Sequence, residues 1–276
     1  MNNSPIGFFD SGLGGLTCIP HLMKRLPGER VIYFGDTART PYGSKAVSTI
    51  RCFSLEIADF LVHKGVKHIV IACNTVSATS LDELRNRYPD LTVTGIIEPA
   101  AAATAKAAAS GSRIGIIGTK VTIRSGIYEK EIKSRNPQVQ VFSKACPAFV
   151  PLIEEGIINN EIMNLTIRYY LDEFIEKNKI DTLVLGCTHY PLIRSNLESL
   201  YPGLTIVDPS EIVIDTLESE LREQNALACC PTIDNTFYAS DLSENFLNMI
   251  DTIFEAEPVK VKFKNFDLED VRMEGK

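Results

Sequence analysis

The chain has 276 residues, 45% of them hydrophobic, which is enough for one large domain or two domains of ordinary size. Its formal net charge of −7 argues against nucleic acid or an anionic membrane surface as its partner. No apolar run approaches the roughly 20 residues that span a bilayer, and the first residues lack the pattern of a signal peptide. We therefore expect a soluble cytoplasmic protein.

Short apolar runs alternate with longer helical patterns along the whole chain. The apolar runs predict strands over residues 5–10, 31–36, 68–73, 91–96, 113–118, 139–143, 181–186, 204–208 and 236–240. Helical patterns cover residues 45–64, 75–87, 98–110, 161–177, 210–224 and 241–255. Nearly continuous apolar strands that alternate with helices are typical of a parallel sheet covered on both faces. The predicted fold class is therefore α/β.

The sequence also contains an internal repeat. IGFFDSG near the start is similar to IGIIGTK near the middle, and HIVIACNT and DTLVLGCTH both lead into a cysteine, Cys73 or Cys187. We predict two pseudo-symmetric, doubly wound parallel-sheet domains, formed by residues 1–97 plus 210–276 and by residues 98–209, with the active site in the cleft between them. Since ligands bind outside the carboxyl ends of parallel strands, the two cysteines should approach one ligand from opposite sides.

Cysteine usage indicates chemistry at two positions only. The seven cysteines, at positions 18, 52, 73, 146, 187, 229 and 230, contain no CxxC pair, so we expect no metal site. Cys73 and Cys187 end equivalent strands, each before a predicted helix start, where free backbone N–H groups should lower the pKa of a thiol. A single buried cysteine is usually a packing residue. Two at matched positions of a repeat indicate function instead.

The first strand runs into a glycine-rich stretch, FDSGLGGLT, in which Asp10 ends the strand. One interpretation is a dinucleotide-binding loop with Asp36 as the acid that holds a ribose. The GxGG pattern lacks the third glycine of that fingerprint, however, and Asp10 would place a negative charge near a pyrophosphate. Alternatively, Asp10 and Ser11 face a ligand and the glycines bring the backbone close to a small anion. An ordinary tight turn is a third interpretation.

Three further features are candidates for contact with a ligand. The loop RTPYGSK could present backbone N–H groups and the ring of Tyr42, or it could be an ordinary turn. His189 follows Cys187 by two residues and could tune that thiol or bind a carboxylate. Glu155, in LIEEG, could face the same site or end a solvated helix, and its neighbour Glu154 competes with it for this role.

Four motifs together, DSGLGGL, GDTARTPYG, ACNT and GCTHYP, carry a family resemblance. In order and spacing, from residue 6 to about residue 210, they resemble the glutamate racemases of the cofactor-independent aspartate/glutamate racemase superfamily. The resemblance implies inversion of the α-carbon of glutamate by two cysteines, without pyridoxal phosphate or another cofactor. It also implies a homodimer that supplies D-glutamate for peptidoglycan biosynthesis.

The resemblance further implies roles for individual residues. Cys73 would deprotonate D-glutamate with help from Asp10, and Cys187 would deprotonate L-glutamate with help from His189 and Glu155. The residues implied to hold the substrate are Asp10, Ser11, Pro41, Tyr42, Gly43, Asn74, Thr75, Thr119, Thr188 and His189.

Other functions stay open from the sequence. An aspartate-type or hydantoin-type racemase would use the same chemistry on another substrate. A nucleotide-binding oxidoreductase would use the glycine-rich loop and Asp36, and a non-catalytic module would only bind a small amino acid.

Overall fold

The computed structural model describes residues 1–229, 235–242, 244–254 and 261–266. Cys230 and parts of the predicted helix over residues 241–255 lie outside these ranges. The described residues form strands β1 (Ile6–Asp10), β2 (Val31–Gly35), β3 (His68–Ile71), β4 (Thr92–Gly95), β5 (Arg113–Gly118), β6 (Gln140–Ala145), β7 (Thr182–Gly186), β8 (Thr205–Val207), β9 (Thr236–Ala239) and β10 (Val261–Phe263).

Helices connect these strands, as expected for parallel pairing. They are α1 (Cys18–Arg25), α2 (Val47–His63), α3 (Asn74–Arg87), α4 (Ile97–Ala107), α5 (Lys120–Ser125), α6 (Ile127–Arg135), α7 (Phe149–Glu154), α8 (Glu161–Asn178), α9 (Arg194–Leu200), α10 (Pro209–Glu223) and α11 (Glu244–Ile253). Within the described ranges, none of the helices combines the length and the hydropathy that a membrane crossing needs.

The strands form two parallel sheets that share one topology. The first has the order β10-β9-β2-β1-β3-β4, and the second has the order β6-β5-β7-β8. In both sheets, the first strand of that half (β1 or β5) lies between the second (β2 or β6) and the third (β3 or β7). The fourth strand (β4 or β8) lies beyond the third. This shared order confirms the predicted pair of pseudo-symmetric, doubly wound α/β halves.

The first sheet is buried on both faces because successive side chains of a strand point to opposite sides. Phe9 and Phe34 belong to a hydrophobic cluster that includes Ile57 of α2. Phe8 and Tyr33, one residue earlier in each strand, belong to a different cluster that extends into the second sheet. Covering both faces leaves the strand ends as the places where polar side chains can meet a ligand.

After the second sheet the chain returns to the first half. Helix α10 packs against α1 and α4, β9 pairs with β2 of the first sheet, and β10 pairs with β9 at its edge. The exact domain limits, 1–97 plus 210–276 and 98–209, stay a prediction.

The sequence patterns missed only short or irregular elements. All nine predicted strands are present. Strand β10 and helices α5, α6 and α7 were not predicted, and no bounds were predicted for α1 and α9, although a helix start was expected after Cys187. Helices α5 and α7 have six residues each, too few to show a helical period. Helix α1 contains Pro20, which obscures its pattern.

Candidate active site

A small cavity lies where the strand ends of the two halves meet. Its walls are Ser11, Thr40, Pro41, Tyr42, Gly43, Cys73, Asn74, Thr75, Thr119, Val150, Cys187, Thr188 and His189. Both cysteines and every predicted substrate contact except Asp10 are among them. Thr40 and Val150 were not predicted: Thr40 lies in the RTPYGSK loop, where only its neighbours were singled out, and Val150 belongs to none of the motifs. The structure thus brings together residues from distant parts of the sequence.

Cys73 lies between β3 and α3, immediately before the first residue of the helix. Its thiol is buried, with Sγ 3.3 Å from Oγ of Ser11. Burial raises the pKa of the Cys73 thiol, and the nearby Asp10 carboxylate raises it further, to about 12, despite opposing hydrogen bonds from Ser11 and Val76. The predicted lowering of this pKa by the helix N-terminus is therefore wrong, because desolvation and the adjacent negative charge outweigh it.

Asp10 lies behind the cavity wall and links the two halves. Its Oδ2 accepts a hydrogen bond from the backbone N–H of Gly12 at 3.0 Å, and its Oδ1 accepts one from Oγ1 of Thr188 at 3.2 Å. Burial raises the pKa of Asp10, although the charge of His189 and these hydrogen bonds act in the opposite direction. The carboxylate is thus held between both strand ends.

Cys187 follows β7 directly and is also buried. The predicted helix start is displaced, because a short 3-10 helix (Tyr190–Ile193) comes first and α9 begins only at Arg194. The partner of Cys187 is His189, whose Nδ1 lies 3.9 Å from Sγ. Burial acts to lower the pKa of His189, but its contacts with Cys187 and Glu154 raise it to about 10. At neutral pH, a positive charge therefore lies beside Cys187.

Glu154, and not Glu155, contacts the site. Oε1 of Glu154 lies 3.0 Å from Nε2 of His189, whereas Glu155 is exposed. Glu154 is the last residue of α7, and consecutive residues of a helix point in directions about 100° apart. The assignment of Glu155 to the site is corrected accordingly.

The glycine-rich loop makes room for the second half of the molecule. A Cβ on Gly14 would lie 2.5 Å from Nδ1 of His189 and 2.5 Å from Oγ1 of Thr188, distances that no side chain tolerates. The sequence indicated that the backbone of this loop comes close to another group. At Gly14, that group is the side chains of Thr188 and His189.

Asp36 is fully engaged within the chain. Its carboxylate accepts hydrogen bonds from the hydroxyl of Tyr42, from Nε of Arg39 at 2.7 Å and from Oγ of Ser240 at 2.8 Å. A ribose would have to displace these buried partners. This arrangement argues against the dinucleotide interpretation and shows that Asp36 fixes the loop that carries Tyr42.

Hydroxyl and amide groups join the two halves across the cavity. Oγ1 of Thr75 lies 3.0 Å from Oγ1 of Thr119, and both lie within hydrogen-bond distance of Oγ1 of Thr122. The hydroxyl of Tyr128 donates to Oδ1 of Asn74 at 2.6 Å. Thr122 carries a weak sequence signal, in GTKVT, and Tyr128 carries none.

Known proteins resemble this chain over nearly all of its length. The model of the family described as Asp/Glu/Hydantoin racemase matches residues 17–217. A glutamate racemase from Geobacter metallireducens is 46% identical over 248 residues, which cover 88% of this chain and 90% of that protein.

Solved structures give the same result. The crystal structure of glutamate racemase from Francisella tularensis in complex with D-glutamate has a TM-score of 0.90 and 35% sequence identity, covering 97% of this chain and 99% of that one. An aspartate racemase homologue from Pyrococcus horikoshii shares only the fold, with a TM-score of 0.54 and 17% identity over 79% of this chain and 99% of that one. The resemblance found in the motifs is confirmed: the chain belongs to the Asp/Glu/Hydantoin racemase family and is itself a racemase.

Proposed function

We propose that this racemase interconverts L-glutamate and D-glutamate by proton transfer between Cys73 and Cys187. The observation that carries the proposal is that both thiols line one small cavity, each contributed by a different half of the molecule. Inversion of a carbon centre requires one group on each of its faces, and this placement is suited to supply them. Glutamate is the favoured substrate because the similar proteins are named glutamate racemases.

The proposed reaction has two proton transfers. A thiolate at Cys187 removes the α-proton of L-glutamate, and the electron pair of the broken C–H bond remains on the substrate, delocalised into its carboxylate. The thiol of Cys73 then gives its proton to the opposite face of the same carbon. Cys187 ends protonated and Cys73 ends as the thiolate, so the reverse reaction starts from D-glutamate with the roles exchanged.

The charges around the two thiols support these starting roles. The His189 imidazolium lies beside Cys187, where a positive charge stabilises a thiolate. The raised pKa of Cys73 keeps that group as a neutral thiol, ready to donate its proton. A small buried cavity also strengthens the electrostatic contacts with the charge that develops on the substrate.

Polar groups of the cavity wall are proposed to hold the charged groups of glutamate. These groups belong to Ser11, Tyr42, Gly43, Asn74, Thr75, Thr119, Thr188 and His189, while Asp10 acts from behind the wall on Cys73. The supply of D-glutamate for peptidoglycan, a cytoplasmic location and a homodimer stay predictions.

Circular dichroism of the substrate tests the proposal directly. The wild-type protein should racemise L-glutamate, and should be far less active on L-aspartate and on a substituted hydantoin. Titration with NAD(P) should show no saturable binding. Failure to racemise glutamate would contradict the proposal, and a preference for aspartate would place the chain with the aspartate-type racemases.

A further inference from the structure

In the side-chain amide of Asn74, the oxygen has a hydrogen-bond partner and the nitrogen has none within the described part of the chain. The residue is 2% exposed, and its Oδ1 accepts the hydrogen bond from Tyr128. Its Nδ2 finds no hydrogen-bond acceptor among the described residues, although it is buried. A buried donor without an acceptor is destabilising, so native proteins rarely retain one without a functional reason.

The location of this donor suggests what it is for. Asn74 follows Cys73 in the chain and lines the same cavity. An amide N–H is a donor only, and the substrate carries carboxylates, which are strong acceptors. A carboxylate oxygen of the bound substrate would therefore satisfy Nδ2 at the cavity wall.

Tyr128 determines which end of the amide faces the cavity. An asparagine side chain can present either its oxygen or its nitrogen, and the choice depends on its partners. Burial raises the pKa of Tyr128 well above its ordinary value, so the phenol keeps its proton and donates it to Oδ1. With Oδ1 engaged, Nδ2 is left for the ligand.

The ring of Tyr128 is itself held close to the second cysteine. Tyr128 lies in the first turn of α6, and its Cε2 would be 3.3 Å from a Cβ placed on Gly186, the residue before Cys187. The phenol therefore reaches from the strand end that carries Cys187 to the one that carries Cys73. It thereby connects the two halves next to Cys73 and Cys187.

We propose that Tyr128 is a positioning residue, which orients the amide of Asn74 so that Nδ2 donates to a carboxylate of the substrate. The inference rests on the proposed function for the identity of that substrate. It assigns Tyr128 no contact with the reacting atoms and no proton transfer.

A double-mutant cycle on the full-length protein tests this role. Tyr128→Phe, which keeps the ring, should raise KM for glutamate about tenfold, as expected when a charge-assisted hydrogen bond is weakened, and should change kcat much less. Asn74→Ala should raise KM at least as much. The double variant should match Asn74→Ala alone, because Tyr128 acts only through the amide. The matched control is Tyr201→Phe, which removes the hydrogen bond from the Tyr201 hydroxyl to Asp172; neither residue lines the cavity, so both constants should stay unchanged.

Several outcomes would overturn the inference. These are an unchanged KM in Tyr128→Phe, an unchanged KM in Asn74→Ala, or increases that multiply in the double variant. A second measurement on the wild-type protein needs no substitution: the side-chain amide resonances of Asn74 should shift when glutamate binds, and an absent shift would equally rule the inference out. Lack of glutamate racemisation by the wild-type protein is a separate result, which contradicts the proposed function. The same cycle would then be measured with the substrate on which the protein acts.

Discussion

The two strand ends that carry Cys73 and Cys187 have the same place in the repeat but opposite electrostatic surroundings. Cys73 lies next to the hydroxyl of Ser11 and near the carboxylate of Asp10, and its pKa is raised to about 12. Cys187 lies beside the imidazole of His189, whose own pKa is raised to about 10. The repeat supplies two equivalent positions for a thiol, and the neighbouring residues place a carboxylate near one and an imidazole beside the other. Under the proposed mechanism, this difference makes Cys73 the proton donor and Cys187 the proton acceptor for L-glutamate.

The largest expected effect comes from removing either thiol. Cys73→Ala and Cys187→Ala should each lower the rate of racemisation by about 1,000-fold or more, because inversion needs both groups. The two variants should differ in heavy water. Cys73→Ala should still exchange the α-proton of L-glutamate, and Cys187→Ala should still exchange that of D-glutamate, as proton NMR would show.

The control for these variants is Cys52→Ala, which alters an exposed cysteine and should leave the activity unchanged. Near-native racemisation by either cavity variant would contradict the two-base proposal. Exchange of the same enantiomer by both variants would contradict the assignment of faces.

Replacing the histidine should reduce activity next most strongly. His189→Gln should lower kcat by about 100-fold, because a neutral amide cannot stabilise a thiolate at Cys187 as an imidazolium does. In the wild type, this support is present below a pH of about 10 and is lost as the pH rises through that value. The pH profile of kcat should therefore fall near pH 10 in the wild type, and this limb should be absent in the variant. The exposed His63, replaced by Gln, is the control.

A smaller effect should distinguish Glu154, the last residue of α7, from its neighbour Glu155. Glu154→Gln should lower kcat about tenfold and shift the alkaline limb of the pH profile to lower pH, because the imidazolium loses its charged partner. Glu155→Gln should have no effect on either. Steady-state kinetics over a range of pH values would reveal the difference, and equal losses in the two variants would show that Glu154 has no specific role.

The smallest expected effect concerns the reactivity of Cys73. Asp10→Asn removes a negative charge that raises the pKa of this thiol, so alkylation of Cys73 by iodoacetamide at pH 9 should become roughly three- to tenfold faster. Mass spectrometry of the Cys73 peptide measures the rate, and exposed Cys52 is the internal control. A slower reaction would show that Asp10 does not oppose thiolate formation at Cys73.

Sequence motifs predicted most of the cavity wall because the wall is built from strand ends. ACNT and GCTHYP place Cys73, Asn74, Cys187 and Thr188 directly after apolar strands, and parallel strands bring such ends together. The choice between Glu154 and Glu155 could not be read from LIEEG, since it depends on where α7 ends and which way each side chain points.

The sequence alone determined the α/β class, the repeat and the two cysteines, because apolar periodicity and matched motifs are local properties. Asp10 and His189 were already candidates as neighbours of the cysteines, but only the tertiary structure decided how close these groups lie and in which direction they shift a pKa. The raised pKa of Cys73 depends on burial and on Asp10, a residue far away in the chain, and the contact between Tyr128 and Asn74 joins two halves that no motif connects. Desolvation and charge act through space, so their effects on a side chain appear only when distant segments are brought together.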